Sequence, residues 1–172
     1  MKIYLIRHAD AVRGDWEGVG DAERYLTVRG RAEMRGVADR LSSMGVAFDG
    51  MLTSPFVRAV QTAEIVAAAA GFEGPVEACP ALEAGRWTRK AIADALASRP
   101  SSGGYALVGH NPDMERIASA LLQVSGGAVP FEKGTVCLVE ADGTPFAEGA
   151  RFGWVLRPKD LRVVREMEKL TG

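Results

Sequence analysis

Two short, unbroken apolar runs constrain this chain more than any other feature. Ile3-Tyr4-Leu5-Ile6 and Tyr105-Ala106-Leu107-Val108 each carry apolar side chains in succession and not in alternation. A strand with that pattern is covered on both faces, as in a parallel sheet flanked by helices. Each run also ends abruptly in polar chemistry. The first runs into Arg7-His8 and the second into Gly109-His110. Open α/β sheets bind ligands just beyond the carboxyl ends of their strands. A single histidine at a strand end is ordinarily a surface or satisfied core residue. Here the chain's only two histidines share that setting, which predicts two imidazoles at one edge of one sheet.

The rest of the chain supplies the helices such a sheet needs. A strand over 2–6 is followed by a polar, glycine-containing loop over 9–25, long enough to be functional. Thr27 suits an N-cap, and Met34, Val37, Ala38 and Leu41 then repeat at helical spacing up to a stop at Gly45. Residues 51–53 read as a second strand. Ser54-Pro55 opens a helix with proline in its first turn, buried through Val60, Ala63, Ile65, Val66 and Ala70 and ended by Gly71. A short strand is expected over 76–79. Thr88 then starts a helix carrying Ile92 and Leu96, stopped before Pro100. After the strand over 105–108, Asn111 caps a helix with Pro112 at its first position and a stripe of Met114, Ile117, Ala118, Leu121 and Leu122. Thr135–Glu140 and Phe152–Leu156, around a turn at Asp142-Gly143, read as a β-hairpin. Pro158 begins a terminal helix carrying Leu161, Val164, Met167 and Leu170. This order predicts a three-layer α/β/α sandwich whose mostly parallel central sheet has antiparallel edge strands. The 172 residues suit a single domain, 1–172, with a sizeable core and no internal linker.

Composition removes several function classes. A net charge of −1 provides no basic field for nucleic acid. No apolar segment approaches a membrane span, and the N-terminal apolar run, broken by Arg7, lacks the layout of a signal peptide. The expected address is the cytoplasm. Cys79 and Cys137 stand far apart in no CxxC pattern and read as buried free thiols in a reducing compartment. Oligomeric state is unknown at this level.

Four residues carry the chemistry: Arg7, His8, Arg58 and His110. Arg58 lies one turn into the helix after the second strand and can turn back toward the strand ends. Two guanidiniums and a helix N-terminus make a phosphate site, because planar forks match phosphate oxygens and free N–H groups favour anions. Beside a phosphoryl group, a neutral imidazole is a nucleophile able to form a covalent phosphoenzyme, and a second, protonated histidine stabilises charge on the transferring group. Paired histidines also suit a metal, but the adjacent arginines repel a cation and no HxH, HxxxH or HExxH spacing occurs. A Ser/His/Asp mechanism lacks a GxSxG elbow. No cofactor is expected.

Four blocks taken in order carry a family resemblance: Arg7-His8 after the first strand; Leu26-Thr27 with Gly30; Ser54-Pro55-Phe56-Val57-Arg58-Ala59-Val60-Gln61-Thr62; and Gly109-His110-Asn111-Pro112. The chain resembles the histidine phosphatase (phosphoglycerate mutase-like) superfamily, and within it the SixA-type phosphohistidine phosphatases. Ala9, where many members have glycine, is similar to the SixA-type branch, and Tyr25 stands where proline often precedes Leu-Thr. The resemblance implies that His8 becomes phosphorylated and that Arg7, Arg58 and His110 complete the phosphate pocket. It implies a general acid from a carboxylate after the third strand region. Glu83, in Leu82-Glu83 with Gly85 following, is the candidate, with Asp10 second and an exposed loop glutamate the bland alternative. Only 26 residues separate Glu83 from His110, so the capping insertion of larger relatives has no room. The implied activity is a phosphatase with a covalent phosphohistidine intermediate, acting on phosphohistidine in a protein. A small-molecule phosphomonoesterase is the alternative within the superfamily; a non-catalytic phosphate- or phosphoprotein-binding module is the alternative outside it. Mutase activity is disfavoured, since keeping a phosphorylated intermediate needs a closed pocket.

Overall fold

The structure, a computed structural model, describes residues 1–14, 18–147 and 149–170. Residues 15–17 of the long polar loop, Glu148 and the last two residues lie outside the described residues. The elements run β1 (Lys2–Arg7), α1 (Val28–Ser43), β2 (Gly50–Thr53), α2 (Val57–Ala69), β3 (Val76–Ala78), α3 (Arg89–Ala97), β4 (Gly104–Gly109), α4 (Asp113–Leu122), β5 (Val136–Glu140), β6 (Arg151–Leu156) and β7 (Val163–Val164). The strands form a single sheet in the order β3-β2-β4-β1-β5-β6-β7. β1, β2, β3 and β4 are mutually parallel, and β5, β6 and β7 continue the sheet antiparallel.

The successive apolar residues of the central strands serve two cores. Along β1, Ile3 and Leu5 pack with Ile92 and Leu96 of α3 and Met114, Ile117 and Leu121 of α4. Tyr4 and Ile6 point the other way, to Met34, Val37 and Leu41 of α1 and Ala59, Ala63 and Val66 of α2. Alternate side chains of a strand face opposite sides, so an unbroken apolar run is what a sheet between two helical layers requires. Parallel pairing also aligns the strand ends. Arg7 lies opposite Gly109, Thr53 opposite Val108, and Ala78 opposite Thr53. The residues that follow, His8, His110, Ser54 and Cys79, therefore emerge along one edge.

The capping pattern holds at two helices and shifts at two. Thr27 and Thr88 accept from the backbone N–H of Gly30 and Ala91, as N-caps do. α2 begins at Val57, not at Ser54-Pro55, with Phe56 as its cap residue. The reason is that Ser54 still extends the ladder, its N–H donating to the Val108 carbonyl, and its side chain is taken by the site. α4 begins at Asp113, with Pro112 at the cap position and no side-chain cap bond. Asn111 is drawn away to the Glu115 carboxylate and the Phe131 carbonyl.

The expected C-terminal helix is not there. Val163-Val164 instead pair with Leu156 and Val155 as β7, and Met167–Lys169 make a single 3-10 turn. The chain reverses through a bond from the Arg157 N–H to the Arg162 carbonyl, with the Asp160 carboxylate accepting the Arg162 N–H. Leu161 sits at φ 54°, where a helix cannot continue. Adjacent β-branched valines fit a pleated edge, and the exposed edge of β6 offers unpaired backbone groups. These outweigh an apolar spacing that matches a helix by coincidence. The hairpin forms, with a bulge between Leu138 and Val139. Cys79 and Cys137 are free and buried. No helix among the described residues is long and apolar enough to cross a membrane.

Candidate active site

His8 stands one residue beyond β1 with its ring almost wholly buried. Its Nδ1 lies 2.7 Å from the Ala9 carbonyl oxygen. A carbonyl can only accept, so Nδ1 carries the proton and Nε2 presents its lone pair. The Nε–H of Arg58 meets that lone pair at 3.3 Å. Burial above all, with the neighbouring His110, Arg58 and Arg7 adding to it against the hydrogen bond to Ala9, pushes the His8 pKa down to about 3. The imidazole is therefore neutral at physiological pH, the form a nucleophile needs.

His110 leaves β4 with its ring centroid 5.0 Å from that of His8. Its Nε2 is 2.8 Å from the Ser54 hydroxyl, which also accepts the Phe56 N–H. A ring nitrogen and a hydroxyl can each donate or accept; with Ser54 as the donor, Nε2 accepts and the His110 proton lies on Nδ1. That Nδ1 is buried without a partner among the described residues. Burial, then Arg58 and Arg7, lowers the His110 pKa to about 4, against a raising influence from Asp21. The protonated His110 expected from the sequence is thus disfavoured until an anion arrives. A neutral ring still offers one N–H to a phosphoryl oxygen.

Arg7 is oriented from the far side of the sheet edge. Its Nη1 donates to the Phe131 carbonyl at 2.6 Å, while Nε is buried and unpartnered among the described residues. Phe131 is itself held by Glu115, which accepts its N–H at 3.2 Å. Arg7 Nε–H and, in that tautomer, His110 Nδ1–H are donors without acceptors among the described residues. Buried donors normally have partners, so the two are able to take the oxygens of an anion.

The motifs around these residues act as clamps. Thr62 donates its hydroxyl to the Arg58 carbonyl and accepts the Ala9 N–H. Gln61 accepts the Leu26 N–H. Thr27 binds the Asp10 backbone and carboxylate. A Cβ on Gly30 would collide with the Asp10 carbonyl oxygen, so α1 can lie this close to the segment after His8 only with glycine there.

The two acid candidates differ. Asp10 is fully engaged, with Lys133 at 2.6 Å on one oxygen and the Thr27 hydroxyl on the other. Partial burial would raise its pKa, but the bonds from Lys133 and Thr27 hold it below the ordinary value, which makes it a poor proton donor. Glu83 pairs with Arg86 at 3.1 Å, its side chain about one-fifth exposed. The Leu82 carbonyl lies close to Gly109, and the Asp113 carboxylate anchors the Gly85 N–H. The Glu83 segment thus lies against the strand that delivers His110. Asp21, Ser54 and Phe131 were not among the residues expected to matter. Ser54 could have been read from its place one residue past a strand; the other two carry no local signal.

The sequence pattern of the histidine phosphatase superfamily (branch 1) matches residues 3–103. The chain belongs to that family. An uncharacterised protein of Picosynechococcus sp. is 39% identical over 127 residues, 70% of this chain and 73% of its own length. The phosphohistidine phosphatase SixA of Escherichia coli is 34% identical over 82 residues, 48% of this chain and 49% of SixA. In three dimensions, the protein histidine phosphatase SixA solved with tungstate superposes with a TM-score of 0.82 at 24% identity, covering 94% of this chain and all of the other. The phosphoglycerate mutase-like α/β fold is thereby shown. As a histidine phosphatase, the chain takes its reaction class from its family; its substrate is a separate matter.

Proposed function

We propose that this histidine phosphatase hydrolyses phosphohistidine on a cytoplasmic protein through a phospho-His8 intermediate, without a cofactor. The observation that carries the reading is the His8 ring: Nδ1 pinned to the Ala9 carbonyl, Nε2 unprotonated and facing Arg58. In the first step the Nε2 lone pair forms an N–P bond, and the bond from phosphorus to the substrate imidazole breaks with its electron pair staying on that nitrogen; the leaving ring, carrying a proton on its other nitrogen, departs as neutral imidazole. Arg7, Arg58 and the His110 Nδ1–H face the equatorial oxygens, where charge accumulates in phosphoryl transfer. Water then attacks phosphorus, the N–P bond returns its pair to Nε2, and phosphate departs.

Two features favour a protein substrate. Between Glu83 and His110 the chain forms only α3 and β4, so no capping segment covers the site from that interval. The candidate acid is also engaged elsewhere, Glu83 being ion-paired with Arg86. A displaced imidazole, with a reference pKa of about 6.5, leaves far more readily than an alkoxide. The test is hydrolysis of a phosphohistidine peptide against a panel of sugar phosphates and p-nitrophenyl phosphate. The peptide should be preferred in kcat/KM. Preference for the small esters would replace this reading with a phosphomonoesterase, and absence of turnover would leave a binding module.

Glu83→Gln separates the leaving groups. If Glu83 protonates the leaving atom, the change costs about 10²–10⁴-fold on an alkyl phosphate, the usual contribution of general acid catalysis. It costs much less on phosphohistidine or p-nitrophenyl phosphate. Equal losses on all three would mean that Glu83 positions the loop, and no loss on any would make it an exposed loop carboxylate.

A further inference from the structure

Arg58 is gripped by a residue that the phosphatase reading leaves unused. A guanidinium has two hydrogen-bonding edges. The end edge is formed by Nη1 and Nη2; the side edge by Nε–H and the neighbouring N–H of Nη2. In this site the end edge is occupied entirely by Asp21. Nη1 donates to the Asp21 backbone carbonyl, and Nη2 donates to Asp21 Oδ2 at 3.1 Å. The other carboxylate oxygen, Oδ1, accepts from Arg24 Nη1 at 2.9 Å, and Arg24 is fixed in turn by its Nε on the Val12 carbonyl at 2.7 Å. The side edge is turned to His8, with Nε on Nε2 at 3.3 Å. The Phe56 ring covers one face, 5.0 Å from the guanidinium carbon.

The exposures are unequal. The Arg58 side chain is 5% exposed and that of Asp21 is 58%. An ion pair with one partner in water adds little to stability, so stability is a weak reason for this contact. Direction is a better one. A guanidinium on a flexible stem can present either edge, and here it is the side edge that faces His8.

We propose that Asp21 is a positioning residue that clamps the end edge of Arg58, so that the side edge is presented to the phosphoryl group at His8 Nε2. This rests on the phosphatase reading above. Asp21 touches no reacting atom; it acts through Arg58. Without the clamp the fork turns about its last torsions and Nε–H leaves the line to His8. A misplacement of about 1 Å in such a group can cost on the order of 10²-fold in rate. Asp21→Ala should therefore lower kcat by roughly 10- to 100-fold. KM should change far less, because a carboxylate that repels the incoming anion has also gone. Asp21→Asn keeps an oxygen for Nη2 and should recover part of the loss.

The experiment is a double-mutant cycle joined to a spectroscopic readout. Kinetics of wild type, Asp21→Ala, Arg58→Ala and the double variant are measured on phosphohistidine peptide and p-nitrophenyl phosphate. If Asp21 acts through Arg58, its substitution costs nothing further once Arg58 is alanine, and the cycle is strongly non-additive. In parallel, the Arg58 Nε–Hε NMR signal, assigned from Arg58→Lys, should be sharp and slow to exchange in wild type. In Asp21→Ala it should broaden, with hydrogen exchange at least about tenfold faster, as for a group released from its bonds. Asp21→Asn serves if the alanine variant does not fold. Additive losses, or an Nε–Hε signal unchanged by either substitution, overturn the proposal. A wild-type protein that turns over neither substrate defeats the phosphatase reading alone, and the NMR signal then still decides whether Asp21 holds Arg58.

Discussion

His8→Ala is expected to abolish turnover, lowering kcat by on the order of 10⁴-fold or more, as removal of a covalent nucleophile does. It should also abolish a covalent phosphoenzyme, trapped by alkaline quench because phosphohistidine is labile in acid. The fold should survive. His8 lies past the end of β1, its ring bonds the carbonyl of the next residue, and its neighbours across the site are Arg58 and His110. No layer of the sandwich is built on it. Removing the ring relieves the burial of an imidazole between guanidiniums, so stability near neutral pH should be close to wild type. Phosphoenzyme trapped in His8→Ala would move the nucleophile elsewhere, with His110 the first residue to test. Arg58→Ala makes a useful contrast. It leaves the nucleophile intact and removes a partner of the transferring charge, so a phosphoenzyme should still form, slowly.

The parts of the fold legible in the sequence are those in which one physical requirement dominates. Ile3–Ile6 and Tyr105–Val108 are apolar on every residue because both sheet faces are covered; a strand with one face in water would alternate. Thr27 and Thr88 are caps because a hydroxyl ahead of an apolar periodicity has a donor waiting. The C-terminus misled because two requirements compete there. Leu161, Val164, Met167 and Leu170 have helical spacing, yet β6 has an open edge and Val163-Val164 fit it. Pairing partners far away in sequence decide such cases, and no local pattern contains them. The site divides in the same way. His8 and His110 announce themselves by following strands. Ser54 does so as well, but serine at a helix start reads first as a cap. Asp21 and Phe131 are invisible because their roles exist only across the pocket: Asp21 reaches Arg58 over 37 residues, and Phe131 reaches Arg7 over 124.

The two imidazoles should also make this protein acid-sensitive in a window that can be attributed to them. In the folded state the pKa of His8 lies at about 3 and that of His110 at about 4, burial being the main cause of each. In the unfolded chain each titrates near about 6.5. Between those values the unfolded state binds more protons than the folded one, so stability falls as pH is lowered. Each histidine contributes up to about 1.4 kcal/mol per pH unit, and the pair about twice that, once pH is well below 6.5. A loss on the order of 5 kcal/mol by pH 4.5 is comparable with the whole stability of an ordinary domain. Asp10 and Asp21 do not confuse the window. Partial burial raises both, but bonds from Lys133 and Thr27 to Asp10, and from Arg24 and Arg58 to Asp21, hold their pKa values below the ordinary carboxylate value. Their contribution is present above that value and is lost only as pH falls further. The chain contains no other histidine. Urea midpoints at pH 7, 5.5 and 4.5 should therefore fall steeply for wild type, less steeply for His110→Gln, and hardly at all for the His8→Gln, His110→Gln double variant. Tungstate or phosphate should offset the loss in wild type by stabilising the folded site, and should do less for the double variant, which keeps only Arg7 and Arg58 of the pocket. A wild-type slope that the substitutions leave unchanged would show that the imidazoles are not held neutral by their surroundings.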